Sequence, residues 1–302
     1  NAGSLVGFLF PFIFTWIGIS NIAPQGVVPD SVIYSFYIGA AILILCVIYT
    51  TVKVKEMPPA EYAEYHGITE EEKKEKINMV KLLVKAPKAF WTVGLVQFFC
   101  WFAFMFMWTY TNGSVAANVF DAPTVETVVN GANKVVLDTK SIQYQNAADW
   151  VGVLFAVQAI GSVLWAVCIP MFKNRKLIYS LSLVLGGIGF ISTYFVHNQY
   201  VLFISFLLIG CAWAAMLALP FTILTNALSG GHMGTYLGLF NGTICIPQIV
   251  AATLGGSILA LFTPKGMLPP EINMLVMAGV MLIIGAVCVY LIKETKGEQA
   301  KA

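Results

Sequence analysis

The candidate binding residues of this chain are amides and tryptophans inside long apolar stretches. In the third such stretch Gln97, Trp101, Phe104, Trp108 and Asn112 recur with a helical period, which places them on one face of one helix. Indole rings stack on the C–H faces of sugars, and amides donate and accept hydrogen bonds with hydroxyls. We interpret this face as the lining of a sugar site. The alternatives are a membrane-interface position for Trp108 and packing of Trp101 against another helix.

Two further stretches repeat this combination more weakly. Gln158, Ser162 and Trp165 share a face of the fourth stretch, where hydrogen bonding between helices is the alternative to substrate contact. The sixth stretch carries Trp213 in its middle and Pro220 near its inner end. Proline removes a helical hydrogen bond, so we predict a kink or hinge there, while Trp213 either lines the site or packs in the core.

The seventh stretch contains both amides and a helix breaker. Asn241, Cys245 and Gln248 share one face, and Pro247 lies beside Gln248. Many transporters form their binding sites from amide side chains that lie next to a helix break at mid-membrane. We therefore predict that Asn241 and Gln248 bind substrate and that Pro247 breaks the helix as a second hinge. A glycine-rich packing helix joined by amide hydrogen bonds is the alternative.

Composition and charge exclude several classes of function. Hydrophobic residues make up 58% of the 302 residues and charged residues 11%, a composition that indicates an integral membrane protein. The net charge of +2 is too small to indicate a nucleic-acid partner. His66, His197 and His232 are scattered, and no metal site or catalytic triad can be assembled. We expect no enzyme activity, no metal and no cofactor. The six cysteines lie in separate apolar stretches and are interpreted as small buried hydrophobes.

The elements that position these residues are predicted to be transmembrane helices. A helix needs about 20 apolar residues to cross the bilayer, and eight runs qualify, each without Asp, Glu, Lys or Arg except at its ends. Their predicted spans are residues 3–19, 32–52, 89–116, 149–172, 177–196, 199–222, 233–262 and 273–292. The predicted fold class is therefore all-α integral membrane.

The distribution of basic residues predicts the orientation, because cytoplasmic loops retain Lys and Arg. With residue 1 inside, 14 of the 17 basic side chains are cytoplasmic and only Lys134, Lys140 and Lys265 are outside. The inner ones are Lys53, Lys55, Lys73, Lys74, Lys76, Lys81, Lys85, Lys88, Lys173, Arg175, Lys176, Lys293, Lys296 and Lys301. Both ends of the chain are predicted to be cytoplasmic.

Two loops are long. The inner loop, 53–88, contains a capping box from Thr69 to Glu72, which predicts the start of a short amphipathic helix lying on the membrane or docking a regulator. The outer loop, 117–148, carries no catalytic pattern. No ionisable residue is predicted in the middle of a span, where it would mark an ion path.

Several segments resemble one family of transporters. They are residues 28–39, the sequence Lys55–Pro59, the turn 171–176, and the stretch from Leu219 through Gly234, Gly238, Asn241 and Gln248. These are similar to the major facilitator superfamily, and within it to the sucrose-transporter-like branch related to the glycoside–pentoside–hexuronide:cation symporters. The turn 171–176 departs from the superfamily's basic loop because it lacks the Asp.

The resemblance implies a twelve-helix fold of which this chain covers helices 5 to 12. Residues 1–52 would be the last two helices of the N-terminal half, 53–88 the cytoplasmic linker, and 89–302 the C-terminal half. It implies a monomeric carrier that moves a sugar across the cytoplasmic (inner) membrane by alternating access, coupled to H⁺ or Na⁺. Any coupling carboxylate would then lie in the four absent helices. A facilitative uniporter and a non-transporting scaffold or receptor are the alternatives.

Overall fold

The chain is built almost entirely from long apolar helices. The computed structural model describes residues 2–20, 27–55, 57–58, 61, 64–65, 79–129, 132–228 and 233–292. Its helices are α1 (Ala2–Trp16), α2 (Asp30–Lys53), α3 (Met79–Val84), α4 (Lys88–Asn118), α5 (Ile142–Cys168), α6 (Arg175–Ser192), α7 (Leu202–Ala227), α8 (Met233–Phe240), α9 (Gly242–Phe262) and α10 (Ile272–Cys288). Short 3₁₀ turns, Ile169–Met171 and Val289–Leu291, extend α5 and α10.

Seven helical segments in the described part of the chain are long and apolar enough to cross a membrane. They correspond to seven of the predicted spans. The remaining helix, α1, has 15 residues and is about 22 Å long at 1.5 Å per residue, less than the ~30 Å of the hydrocarbon layer. The all-helical membrane fold is thus confirmed, while the eighth crossing and the three-part division of the chain stay predictions.

The seventh span continues as a helix past both Asn241 and Pro247. α8 ends at Phe240 and α9 begins at Gly242, and Asn241 between them has helical backbone angles. Its N–H donates to the Leu237 carbonyl at 3.3 Å, so helical hydrogen bonding carries on across this position. Pro247 lies inside α9 and leaves the carbonyl four residues earlier without its helical donor. Its role as a hinge stays a prediction.

The outer loop is largely ordered into secondary structure that the sequence pattern did not predict. α4 extends to Asn118 and α5 begins at Ile142, where the Ser141 hydroxyl accepts a hydrogen bond from the Tyr144 N–H. Between them, strands β1 (Thr124–Val129) and β2 (Ala132–Leu137) pair antiparallel. Because α5 starts seven residues earlier than predicted, Asp149 lies inside a membrane-spanning helix and not at its end.

The core lies among α4, α5, α6, α7 and α10, which pack extensively in the pairs α6–α7, α4–α10, α5–α7 and α6–α10. Small residues allow the close approach of α5 and α7. A Cβ atom on Gly161 would lie 2.6 Å from the Leu207 carbonyl oxygen, and one on Gly210 would lie 2.7 Å from the Ser162 nitrogen. Such contacts hold helices together in lipid, where no hydrophobic effect drives helix association.

The first two helices are peripheral to this core. α1 packs on α5, and α2 packs against α1 with most of its side chains exposed. Exposed apolar side chains are expected here, because lipid is as apolar as the side chains themselves.

The inner loop is described only in part. The capping box at Thr69 and Glu72 and the histidines His66 and His232 lie outside the described residues. The short helix α3 is described, and the Tyr236 hydroxyl of α8 donates a hydrogen bond of 3.3 Å to its Leu82 carbonyl. The linker therefore contacts the inner end of the seventh span.

All six cysteines are free, but they are not uniformly buried. Cys100 and Cys211 are buried, Cys168 and Cys288 are intermediate, and Cys46 and Cys245 are exposed. The prediction of burial is wrong for the last two, which lie on helices with largely exposed surfaces.

Candidate functional site

The structure brings the tryptophans of two helices into one aromatic cluster. Trp101 and Trp108 of α4 lie one above the other, and Trp213 of α7 meets both edge to face, with ring centroids 5.8 Å from each. Phe104 contacts Trp213 at 4.9 Å. The predicted face of α4 is therefore real, and Trp213, on a separate span, completes it.

Polar atoms buried beside this cluster have no hydrogen-bond partner. They are the Oε1 atom of Gln97, the Nε1 atom of Trp101, the Nε2 atom of Gln158 and the hydroxyl of Ser162, none of which meets a partner in the described part of the chain. A buried polar group without a partner costs about 1–3 kcal/mol. A ligand that carries hydroxyl groups can both donate and accept, so it can remove this cost at several of these atoms.

A narrow cleft opens from the cluster toward α1. It is lined by Ser4, Phe8, Met107, Trp108, Gln158 and Trp213. Its volume is about 20 Å³, enough for about one water molecule and far below the roughly 300 Å³ at which small-molecule sites begin. In this conformation the side chains fill the cleft, and α1 would have to move away from α4, α5 and α7 before a small molecule could enter it.

Gln97 also has a second role, which concerns the proline in α7. Pro220 lacks an N–H group, so the carbonyl of Met216, four residues earlier, loses its helical donor. The Nε2 atom of Gln97 donates to this carbonyl at 3.3 Å. Gln97 thus stabilises the proline-containing turn of α7 from the neighbouring helix, and only its Oε1 atom stays unpartnered.

The other predicted site residues lie apart from the cluster. The Nε1 atom of Trp165 donates to the Ser182 hydroxyl at 2.8 Å and so links α5 to α6. Asn112, toward the outer end of α4, lies within hydrogen-bonding reach of Tyr144. Asn241 is exposed between α8 and α9, and Gln248 is half-buried on α9. The structure groups Gln97, Trp101, Trp108, Gln158 and Trp213 and leaves Asn241 and Gln248 on a separate helix.

One titratable residue near the predicted face escaped the sequence analysis. Glu271 occupies the N-cap position of α10 without a capping hydrogen bond from its side chain. Its carboxylate contacts the backbone of α4 at Gly113, next to Asn112. Burial raises the pKa of this carboxyl from its ordinary value of 4.5 to about 7. The available signal was its position directly after Pro269 and Pro270 and before an apolar run, which places a carboxylate at the membrane boundary.

Among the residues that the structure describes, no group of three or more His, Cys, Asp or Glu side chains could hold a metal ion. The polar groups available along α4 are therefore amides, indoles and, at the outer end, the carboxyl of Glu271. This arrangement suits reversible binding of a neutral polar molecule.

Comparison with known proteins agrees with the helical architecture. The sequence profile of the Major Facilitator Superfamily matches residues 115–302, which include α5 to α10 and more than half of the chain. No curated protein matches the chain in sequence. The superfamily resemblance is therefore confirmed, whereas the sucrose-transporter-like branch stays a prediction. The chain belongs to the Major Facilitator Superfamily, and it is a multi-pass membrane transporter of that superfamily.

Proposed function

We propose that this transporter carries a sugar or glycoside by alternating access, coupled to a cation. It acts as a monomer in the cytoplasmic (inner) membrane, with both ends of the chain on the cytoplasmic side. The observation that carries the proposal is the cluster of Trp101, Trp108 and Trp213 beside the unpartnered amide of Gln158.

The chemistry of this cluster favours a sugar over an ion or an apolar molecule. Edge-to-face indoles present both flat faces and ring edges, which suit the C–H surfaces of a pyranose ring. An apolar substrate would leave Gln158 and Trp101 without partners, which costs free energy. An ionic substrate would need a counter-charge, and the side chains lining the cleft are uncharged.

The position of the cleft supports the alternating-access part of the proposal. α1 closes it through Ser4 and Phe8, and the Phe8 ring contacts Phe155 of α5 at 5.4 Å. A Cβ atom on Gly152 would lie 3.2 Å from the Phe8 carbonyl oxygen. α1 therefore packs closely on α5 at the cluster, and separation of these two helices would enlarge the cleft.

Uptake by the full-length protein reconstituted in lipid vesicles tests the proposal. We expect radiolabelled mono- or disaccharides to enter faster than they enter protein-free vesicles, and amino acids to enter at the protein-free rate. Trp101→Ala and Gln158→Ala should each lower sugar uptake without loss of protein from the membrane. Trp91→Ala is the matched control, because Trp91 lies on the same helix but is 52% exposed and outside the cluster.

Two results would contradict the proposal. One is a wild-type protein that moves no sugar of the panel. The other is sugar uptake that stays at the wild-type rate in both Trp101→Ala and Gln158→Ala.

A further inference from the structure

α6 and α10 cross at a point where two glycines face each other. A Cβ atom on Gly187 would lie 2.9 Å from the Gly279 carbonyl oxygen, and one on Gly279 would lie 2.7 Å from the Gly187 carbonyl oxygen. Because neither position carries a side chain, the two backbones can approach closely, as small residues allow in lipid. A groove begins on the outer side of this crossing.

This groove lies between the outer ends of α6 and α10. Phe262, the last residue of α9, forms its third wall, and α9 itself packs on α4 and makes only sparse contact with α10. The volume of the groove is about 540 Å³, which falls within the ~300–1,000 Å³ range of small-molecule sites. It is far larger than the cleft at the aromatic cluster.

The groove faces the bilayer. α6, α9 and α10 all belong to segments that are long and apolar enough to cross a membrane, whereas α1 packs on α5 and α2 on α1. At the rim of the groove, Phe195 is 73% exposed and Val280 is 44% exposed. Exposed apolar side chains of a spanning segment meet lipid tails. The molecule that fills the groove therefore comes from the membrane.

The dimensions of the groove indicate how many hydrocarbon tails fit. It extends along α10 from Asn273 to Met281, a distance of about 12 Å at 1.5 Å per residue. Dividing the volume by this length gives a mean cross-section of about 45 Å². One extended tail, whose carbon atoms lie about 4 Å from their neighbours, has a cross-section of about 16 Å². Two tails therefore fit side by side.

The two ends of the groove differ in polarity. Asn273 and Tyr194 bring an amide and a phenol hydroxyl to the outer end, where tyrosines are common at the membrane interface. The Asn273 side chain makes no hydrogen bond within the part of the chain that the structure describes. Met277 and Met281 line the deeper part, and their unbranched side chains adapt to flexible partners. A molecule with a polar head and two flexible tails matches this gradient.

We propose that this groove is a binding site for one diacyl phospholipid of the outer leaflet. Its headgroup lies at Asn273 and Tyr194, and its two tails lie against α6, α9 and α10. The bound lipid fills the gap between α9 and α10 and so joins α9 to the rest of the bundle. The site is separate from the proposed sugar cleft, and lipid binding does not depend on the proposed function.

Native mass spectrometry of the purified full-length protein tests lipid binding without any transport substrate. The protein is delipidated in detergent and titrated with dioleoyl phosphatidylcholine, because no charged side chain lines the groove. The wild type should bind one phospholipid saturably. Val280→Trp, which places a large ring in the groove, should bind it at least about tenfold more weakly.

Val287→Trp is the matched control. It lies two turns further along the same face of α10, is 66% exposed and is outside the groove, so it should bind phospholipid like the wild type. Equal binding by Val280→Trp and Val287→Trp would overturn the proposal.

Asn273→Leu provides a second variant if Val280→Trp does not fold. Leucine has nearly the volume of asparagine but cannot hydrogen-bond the headgroup, so phospholipid affinity should fall roughly fivefold. The phospholipid should also raise the melting temperature of the wild type, because a ligand of the folded state stabilises it, and it should raise that of Asn273→Leu less. An unchanged affinity in Asn273→Leu would overturn the placement of the headgroup.

Other membrane molecules give different results in the same titration. Lysophosphatidylcholine has one tail and leaves half of the groove unfilled, so it should bind at least about tenfold more weakly than the diacyl lipid. Cholesterol, a rigid plate with a single hydroxyl, should not displace the phospholipid. Preferential binding of either molecule would overturn the assignment to a diacyl phospholipid.

Discussion

Two regions of α4 differ in chemistry although they belong to one continuous helix. The middle of the helix carries Trp101 and Trp108 and contacts Trp213, with unpartnered amides and no charge. The outer end carries Gly113, whose missing side chain leaves room for the Glu271 carboxylate at the start of α10. The first region therefore offers aromatic and hydrogen-bonding surface suited to a neutral molecule with hydroxyl groups, whereas the second holds a titratable group. Uncharged and titratable chemistry are thus kept at different depths of the same helix.

The largest expected effect is the pH dependence of stability at the outer end. The pKa of Glu271 is raised from 4.5 to about 7 by burial, so the folded protein binds the proton more tightly than the unfolded chain. Stability from this group is full below about pH 4.5 and is lost as the pH rises through about 7, for a total of about 3 kcal/mol. Denaturant titrations at several pH values measure it. A flat wild-type profile would separate Glu271 from any role in proton binding.

The next effect concerns the contact between Glu271 and Gly113. Gly113→Ala places a Cβ atom on the carboxylate of Glu271. Because this carboxylate is the end of a flexible side chain, it can move aside toward water, and the main expected result is a smaller pH dependence of stability. Gly256→Ala is the matched control, since a Cβ atom there meets nothing within 4 Å. An equal pH dependence of the unfolding free energy in the two alanine variants would contradict the contact.

In the middle region, Gln97→Leu should destabilise the fold. It removes the donor to the Met216 carbonyl that Pro220 leaves free, and an orphaned buried acceptor costs about 1–3 kcal/mol. The double variant Gln97→Leu with Pro220→Ala restores a helical donor to that carbonyl and should recover part of the loss. Thermal unfolding of the single and double variants measures both. Additive destabilisation in the double variant would show that the two residues do not act on the same carbonyl.

The smallest expected effect separates binding from folding at Gln158. Its Nε2 atom has no partner in the described part of the chain, so Gln158→Leu should leave the stability unchanged or slightly raise it. Loss of one hydrogen bond to a sugar should weaken sugar affinity roughly fivefold, equivalent to about 1 kcal/mol. A sugar-protection assay on the purified variant measures the affinity. A loss of stability with unchanged affinity would assign Gln158 to packing.

The middle region could be predicted from the sequence because its signals are local. The spacing of Gln97, Trp101 and Trp108 fixes their common face, and long apolar runs fix the positions of the spanning helices. The partnership of Trp213 with that face needed the packing of α4 against α7. Likewise, hydrogen bonding of Trp165 to Ser182 was left open by the sequence as one of two alternatives.

The outer end could not be predicted in the same way. The contact of Glu271 with Gly113 joins residues that are distant in the chain, and neither residue type is informative alone. The β1–β2 hairpin is a short antiparallel pair in a loop, which hydrophobic periodicity does not indicate. Helix ends and tertiary contacts depend on packing between elements, which periodicity does not encode.

The initial rate of sugar uptake by Trp213→Ala, measured beside Trp91→Ala in vesicles of the reconstituted full-length protein, shows most directly whether the aromatic cluster is a sugar site. Trp213 contacts Trp101, Phe104 and Trp108 and lines the cleft, whereas Trp91 is exposed near the inner end of α4. We predict that Trp213→Ala loses at least about tenfold in uptake, equivalent to about 1.4 kcal/mol, at equal amounts of folded protein, and that Trp91→Ala transports like the wild type. Equal uptake by the two variants would contradict a sugar site at the aromatic cluster.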